Sequence, residues 1–214
     1  MSGPFIYAAI VVPAAVVIPL AMGICYYKGL RFPHRLIFYY LVFAGVTGGV
    51  ASYFAKHRMN NLWLLHLYTA VEAVVLMGFY RSIIKSALLR KVILYLMALF
   101  PLICLANILW WQSLRRFNTY TRPVEALLLI YMGLVVFLEN SNDPVDAEGG
   151  PSTALSWINA GLLLYFSTSF FFFIFSNFLH PEGFFNIFIL ISHATFVLIM
   201  YLLFTVGFYK CSRS

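Results

Sequence analysis

The chain has 214 residues, of which 63% are hydrophobic and only 10% are charged, and its mean hydropathy is +0.89. This composition excludes an ordinary water-soluble domain and predicts an integral membrane protein. The net charge of +7 comes from basic residues in short segments beside hydrophobic stretches. Membrane topology explains such residues, so the charge indicates no nucleic-acid partner.

The hydropathy pattern predicts seven membrane-spanning helices, each of about 20 apolar residues. The stretch Met1–Ile24 has no basic residue ahead of its apolar run, so we interpret it as a retained first span and not a secretory signal. The connecting segments are too short for a separate domain. We therefore predict an all-α bundle that forms one domain over residues 1–214. Its spans lie near residues 5–26, 36–55, 62–80, 91–111, 123–138, 154–178 and 184–208.

Basic residues are distributed unequally between the two sides of the predicted bundle. Five of the 14 Lys and Arg residues fall on the side of the N-terminus: Lys56, Arg58, Arg115, Arg116 and Arg122. The other nine fall on the opposite side. Because cytoplasmic loops are enriched in Lys and Arg, this excess predicts an outside N-terminus and a cytoplasmic C-terminus. The expected location is a cell membrane, crossed several times, and specifically a bacterial inner membrane.

Four prolines mark points at which the predicted helices are interrupted or begin. Pro13, Pro19 and Pro101 fall inside spans, where a missing N–H and a bulky ring kink a helix. Pro123 is predicted in the first turn of its helix, where the missing N–H costs little. Kinks at the first three could shape a cavity.

Ionisable residues inside the predicted spans need an explanation, because a central charge costs about 2.5–3.5 kcal/mol on insertion scales. Glu72 and Glu125 are the only two acids there, and His66 and His193 accompany them. With spans running in alternating directions, these groups collect in the outer half of the bundle. Asn107 and Asn177 are further polar groups of the outer half, and Ser169 is predicted near mid-depth.

Polar side chains also share helix faces, which predicts an inward-facing pocket that opens to the outside. His66, Thr69 and Glu72 advance in steps of three and stay within an arc of about 120°. Polar edges of this kind turn inward, because lipid offers them no hydrogen bonds. The alternative is that they serve only helix packing, through interhelical bonds worth about 1 kcal/mol each. The predicted pocket comprises His66, Thr69, Glu72, Asn107, Glu125, Ser169, Ser192 and His193.

Two histidines and two glutamates are also suitable metal ligands, so His66, Glu72, Glu125 and His193 form a candidate zinc site. Their spacing does not match His-Glu-x-x-His or another established zinc signature. The leading expectation is therefore a protein without a cofactor, with zinc as the alternative.

Two resemblances to known families accompany these residues. The stretch 60–72, NNLWLLHLYTAVE, together with the late pair Ser192-His193, resembles a pattern in small, uncharacterised bacterial seven-span proteins. A fainter likeness is to seven-span metal-dependent hydrolases of the alkaline ceramidase and adiponectin receptor type. That likeness implies histidines, an acid and a serine around zinc, often with paired histidines late in the chain. Here the seventh span has only His193, and no HxxxH follows it.

The leading functional hypothesis is a sensor or receptor-like membrane protein that binds a small molecule or lipid in the outward-facing pocket. Membrane lipids are expected partners, and signalling would require a partner protein or further copies of the chain. The alternative is a metal-dependent intramembrane lipid hydrolase that uses a metal-bound water. A third hypothesis is a proton-coupled transporter that uses Glu72 and Glu125.

Overall fold

The computed structural model describes residues 3–141, 151–176 and 184–212 of the chain. That part contains helices and no strands, and seven helices are long and apolar enough to cross a membrane. This confirms the predicted all-α, seven-span organisation, with boundaries shifted by a few residues. The helices are α1 Tyr7–Cys25, α2 Phe32–Lys56, α3 Leu62–Ile83, α4 Ala87–Trp111, α5 Thr121–Ser141, α6 Pro151–Phe175 and α7 Phe184–Cys211.

Six of these helices pack around a common interior. Neighbours in the sequence pack against each other, except α4 and α5; α3 contacts α5 instead, and α1 returns to pack against α7. The helix α4 packs chiefly against α3 and is therefore peripheral. Its outward residues, such as Leu102 and Trp110, are strongly exposed, as expected for a helix surrounded by lipid.

Prolines interrupt the helices where the sequence places them inside spans. In α1, a wide π-helical stretch over Tyr7–Val11 precedes Pro13, and the Ile18 amide bonds to the Ala15 carbonyl just before Pro19. The α4 helix contains Pro101 and ends in a π-helical stretch, Asn107–Trp111. These irregular turns accommodate the missing proline amides and bend the helices.

The ends of the bundle differ in their polar content. We call the end at which α1 begins the N-terminal side; it also carries the loops 57–61 and 112–120. Toward the opposite side the core is largely apolar, and a local interhelical link is made by Asn159. Its side-chain oxygen accepts a hydrogen bond from the Tyr80 hydroxyl at 3.0 Å, and its side-chain nitrogen donates one to the Gly133 carbonyl at 2.9 Å. Larger numbers of buried polar groups lie on the N-terminal side.

Candidate ligand-binding site

A buried arginine, Arg122, lies in the first turn of α5. The side-chain oxygen of Asn118 accepts hydrogen bonds from the backbone N and the hydroxyl of Thr121, at 3.1 and 2.8 Å. This local bonding starts the helix at Thr121, and Pro123 follows in the first turn, as predicted. The Arg122 side chain enters the interior of the bundle, where only 2% of it is exposed.

Two carboxylates neutralise this guanidinium from different helices. Nη1 of Arg122 donates to Oε2 of Glu72 on α3 and, at 2.8 Å, to Oε2 of Glu125 on α5. Nη2 donates to the hydroxyl of Tyr165 on α6 at 2.6 Å. When all three charged groups are ionised, the cluster carries one positive and two negative charges. An arginine forced into lipid on its own would be costly, so these bonds explain how it is tolerated.

Tyrosine hydroxyls and aromatic rings complete the surroundings of the ion cluster. Oε1 of Glu72 accepts from the Tyr40 hydroxyl at 2.8 Å and from the Tyr68 hydroxyl at 3.2 Å. The guanidinium carbon of Arg122 lies 5.0 Å from the Phe173 ring centroid and 5.4 Å from that of Tyr68. Cation–π contacts at such distances stabilise a desolvated arginine further. Side chains of α2, α3, α5 and α6 therefore meet at one buried charge.

A cavity of about 800 Å³ leads from the surface of the bundle to this cluster. Its walls come from the N-terminal halves of α1, α3 and α7 and the C-terminal half of α2, and they are mostly apolar. Exposed lining residues, such as Ala14 and Gly49, mark its open flank, whereas Arg122 lies at its buried end. The polar side chains at the inner end are Tyr68, Arg122, Tyr165, His193 and Tyr201.

The cavity exists because α1 and α2 are in contact at one depth of the bundle and separate from there toward the N-terminal side. A Cβ atom added at Gly45 would lie 3.7 Å from Val16 Cγ1, which is ordinary packing contact. At Gly48 and Gly49, one turn closer to the N-terminal side, a Cβ atom would meet nothing within 4 Å. These two glycines line the cavity, and at their positions no side chain enters it.

A histidine, His193 on α7, also lines the inner end of the cavity. Its ring stacks on Phe172, with 4.4 Å between the ring centroids and 7° between the planes, and it lies 5.8 Å from the Tyr165 ring. Within the described part of the chain, its buried Nδ1 atom has no hydrogen-bond partner. His193 therefore lines the cavity and carries a buried polar atom without a partner among the described residues.

His66 and Thr69 hold the loop 112–120 against α3 and do not line the cavity. A ring nitrogen of His66, Nε2, lies 3.2 Å from the Arg116 carbonyl oxygen. The Thr69 hydroxyl donates to the Leu65 carbonyl and accepts from the Asn118 amide at 3.2 Å. The shared polar edge that the sequence predicts on α3 is thus divided. Glu72 serves the ion cluster, and the other two residues hold the loop.

Of the eight residues of the predicted pocket only His193 lines the described cavity; Glu72 and Glu125 lie in the ion cluster behind Arg122, and three others lie elsewhere. Asn107 is buried and donates to the Gln112 side chain at 3.4 Å. Ser169 is fully buried, and its hydroxyl has no partner among the described residues. Ser192 is partly exposed next to His193. Asn177 lies outside the described residues.

The four predicted metal ligands do not form one site. Among the residues that the structure describes, no three His, Cys, Asp or Glu side chains are grouped so as to hold a metal ion. The guanidinium of Arg122 lies between Glu72 and Glu125, and His66 contacts the loop. An internal cation already occupies the position between the carboxylates that the zinc hypothesis assigns to a metal.

Sequence reasoning assigns Arg122 to a loop, as one of the charges that set topology, and this assignment is wrong. The helix starts two residues earlier than predicted, because Asn118 and Thr121 make the bonds that begin it. Two signals in the sequence point to the correct role. Arg122 and Glu125 are three apart, the spacing of a helical ion pair, and a carboxylate inside a span requires a partner. The contributions of Tyr40, Tyr165 and Tyr201 carry no such signal.

Comparisons of this chain with family models, curated proteins and solved structures gave no match.

Proposed function

We propose that this protein is a membrane-embedded receptor or sensor that binds a small molecule or lipid. The observation that supports the proposal is the cavity of about 800 Å³ that runs from the flank of α1 and α2 to Arg122. This volume falls within the range of small-molecule sites, about 300–1,000 Å³. Such sites combine mostly apolar walls with a few convergent polar groups, as this cavity does.

Unused hydrogen-bonding atoms at the inner end support a ligand over a purely structural role. Nε of Arg122 and Nδ1 of His193 are buried without partners in the described part of the chain. Buried polar atoms are normally paired, because an unpaired one costs about 1–3 kcal/mol. A bound molecule with polar atoms would reduce this cost once a small side-chain movement opens these atoms to the cavity.

The ion cluster offers a route from ligand binding to a change in helix packing. Tyr40, Glu72, Arg122 and Tyr165 belong to four helices and are joined by hydrogen bonds. A ligand that bonds to Arg122 or Tyr165 adds a contact to this network and so favours the arrangement of the four helices in which that contact is strongest. A ligand can drive a conformational change only through such differential contacts.

The proposal includes an orientation in which the cavity opens on the outer half of the membrane. Because Arg122 is buried and ion-paired, only Lys56, Arg58, Arg115 and Arg116 of the N-terminal side remain as topology charges. The excess of basic residues on the opposite side therefore becomes larger, and it favours a cytoplasmic C-terminus. The membrane in this proposal is a bacterial inner membrane.

The test is the identification of molecules that co-purify with the protein. The protein, a Gly48→Leu variant and a Val46→Leu control are purified in detergent and extracted, and the extracts are compared by mass spectrometry. Gly48→Leu places a side chain in the open space beside Gly48 and obstructs the cavity, whereas Val46 lies on the same helix with 62% of it exposed. We expect one compound, at about one per chain, in the native protein and the control, and its loss from Gly48→Leu.

Two results would contradict the proposal. One is a set of extracts that match bulk membrane lipid in all three proteins. The other is a compound that stays equally abundant in Gly48→Leu after size-exclusion chromatography and circular dichroism show that this variant is folded.

A further inference from the structure

The cavity has two chemically distinct parts, which together define a class of ligand. The outer part, here called the channel, is a mostly apolar cleft between α1 and α2, and the inner end carries hydroxyl groups beside a guanidinium. We propose that the ligand is a single-chain lipid with an uncharged, oxygen-bearing headgroup. This inference rests on the proposed function and specifies its ligand.

The channel fits an acyl chain because its wall on α2 is built from small residues. Ala44, Gly45, Gly48 and Gly49 line it, and two of these glycines face open space. Glycine inside a helix costs about 1 kcal/mol relative to alanine. Glycines that no neighbouring side chain requires therefore indicate that the space above them is used. The open flank lies between helices that lipid surrounds, so a lipid chain can enter sideways.

The headgroup requirement follows from the hydrogen-bond donors at the inner end. The Tyr165 oxygen accepts from Arg122, which leaves the Tyr165 hydroxyl hydrogen to donate elsewhere. Tyr201 also lines the cavity, and its hydroxyl makes no hydrogen bond to another described side chain. The buried Nε–H of Arg122, which has no partner among the described residues, is a third donor that a small side-chain movement would open to the cavity. Ester, hydroxyl or carbonyl oxygens would complement these donors.

The charge of the cluster argues against an ionic headgroup. Arg122 already bonds to both Glu72 and Glu125, so an anionic group would add to an excess of negative charge. A cationic group would meet Arg122 first, because Arg122 lines the cavity and neither glutamate is part of its wall. In a low-dielectric interior either mismatch is costly. An uncharged headgroup avoids both.

The same small residues could instead pack against a helix of a second copy, since Gly45 and Gly49 are four apart. Such a helix is about 10 Å wide and apolar along a lipid-facing side. It would leave the donors of Tyr165 and Tyr201 unpaired at the inner end. The polar end of the cavity therefore favours the lipid.

The experiment compares three amphiphiles that share an oleyl or oleoyl chain and differ in headgroup charge. These are monooleoylglycerol, which is uncharged, oleoyl lysophosphatidylglycerol, which is anionic, and oleylamine, which is cationic. Binding to the delipidated full chain is titrated by native mass spectrometry. We expect monooleoylglycerol to bind at one per chain, at least tenfold more tightly than the other two.

Substitutions at the donors provide a second measurement. Tyr165→Phe and Tyr201→Phe each remove one hydroxyl, and we expect each to weaken monooleoylglycerol binding about three- to tenfold. Tyr95→Phe is the matched control, because Tyr95 lies on α4 with 62% of it exposed. Gly48→Leu is expected to abolish binding.

The outcomes separate this inference from the function on which it rests. Tighter or equal binding of a charged amphiphile, lost in Gly48→Leu, would overturn the ligand class and leave the proposed function standing. Binding of no amphiphile, with no compound co-purifying, would overturn both. Dimers that Gly48→Leu dissociates, without lipid binding, would assign the α2 surface to a second copy and overturn the inference.

Discussion

Arg122 of α5 donates a hydrogen bond from Nη1 to Glu72 of α3, and the same nitrogen bonds to Glu125 one turn along its own helix. Both carboxylates are fully buried. The guanidinium is thus the only described cation that lies between these two buried acids. Its loss would have a different effect from the loss of either acid.

We predict that Arg122→Gln destabilises the protein more than Glu125→Gln does. Arg122→Gln leaves two adjacent buried carboxylates without a countercharge, and breaking a buried ion pair in this way costs about 3–5 kcal/mol. Glu125→Gln leaves Arg122 paired with Glu72, so its cost is about 1–3 kcal/mol. Thermal unfolding in detergent measures both, with the exposed loop residue Arg115→Gln as control. Equal stability of Arg122→Gln and Arg115→Gln would contradict the assignment.

The two hydrogen bonds that tyrosine hydroxyls donate to Glu72 should differ in strength. Tyr40 donates to Oε1 of Glu72 at 2.8 Å and Tyr68 at 3.2 Å. Phenylalanine preserves the ring, so Tyr40→Phe should cost about 1.5–3 kcal/mol and Tyr68→Phe about 1 kcal/mol. The free energy of unfolding can be measured by titration with SDS in mixed micelles. A larger loss for Tyr68→Phe would show that the shorter bond is not the stronger one.

Asn159 should matter for stability and not for ligand binding. It bridges Tyr80 of α3 and the Gly133 carbonyl of α5, and it is not part of the described cavity wall. Interhelical hydrogen bonds in membranes average about 0.6 kcal/mol and reach about 1.7 kcal/mol. Asn159→Leu should therefore cost about 1 kcal/mol and leave the co-purifying compound unchanged. Because Tyr80 and Asn159 share a bond, Tyr80→Phe combined with Asn159→Leu should cost less than the sum of the two. Loss of the compound in Asn159→Leu would extend the site into the other half of the bundle.

Asn118 should hold the loop 112–120 closed over α3. Its side chain bonds to Thr69 and to Thr121, and Asn118 itself is fully buried. Asn118→Ala leaves these partners unsatisfied, and we expect a loss of about 1–3 kcal/mol. The exposed pair Arg115 and Arg116 then becomes a faster trypsin site in the detergent-solubilised protein.

The control for the loop is Asn60→Ala. Asn60 is exposed and donates one 3.2 Å hydrogen bond to the Leu114 carbonyl of the loop 112–120, while its side-chain oxygen accepts from the Leu62 amide at 3.1 Å. Its removal should change the trypsin cleavage rate much less than Asn118→Ala does. Similar rates in both variants would show that Asn118 does not anchor the loop.

Thiol labelling tests the proposed orientation. Cys25 is exposed, whereas Cys104 and Cys211 are buried, so a Cys25→Ser background provides a starting protein with little reactivity. Ser113→Cys and Ala87→Cys then place exposed thiols on the N-terminal side and the opposite side. In spheroplasts, a membrane-impermeant maleimide should label Ser113→Cys directly and Ala87→Cys only after permeabilisation. The reverse pattern would invert the orientation.

The sequence by itself determined the seven spans and the half of the bundle in which polar groups gather. A span is a local property, since about 20 apolar residues suffice to cross the membrane whatever they later contact. The depth of Glu72, Glu125 and His193 follows from the alternating direction of the spans. The presence of acids in lipid also indicates that a partner exists.

The tertiary structure decided which partner that is and where the cavity lies. Glu72 and Arg122 are 50 residues apart, and their pairing depends on how α3 packs against α5. The separation of α1 from α2 depends on their contact at Gly45, which no local pattern specifies. Histidine or a metal could equally have satisfied the acids. Only the packed bundle places the guanidinium between them, because long-range helix contacts set the distances on which electrostatic pairing depends.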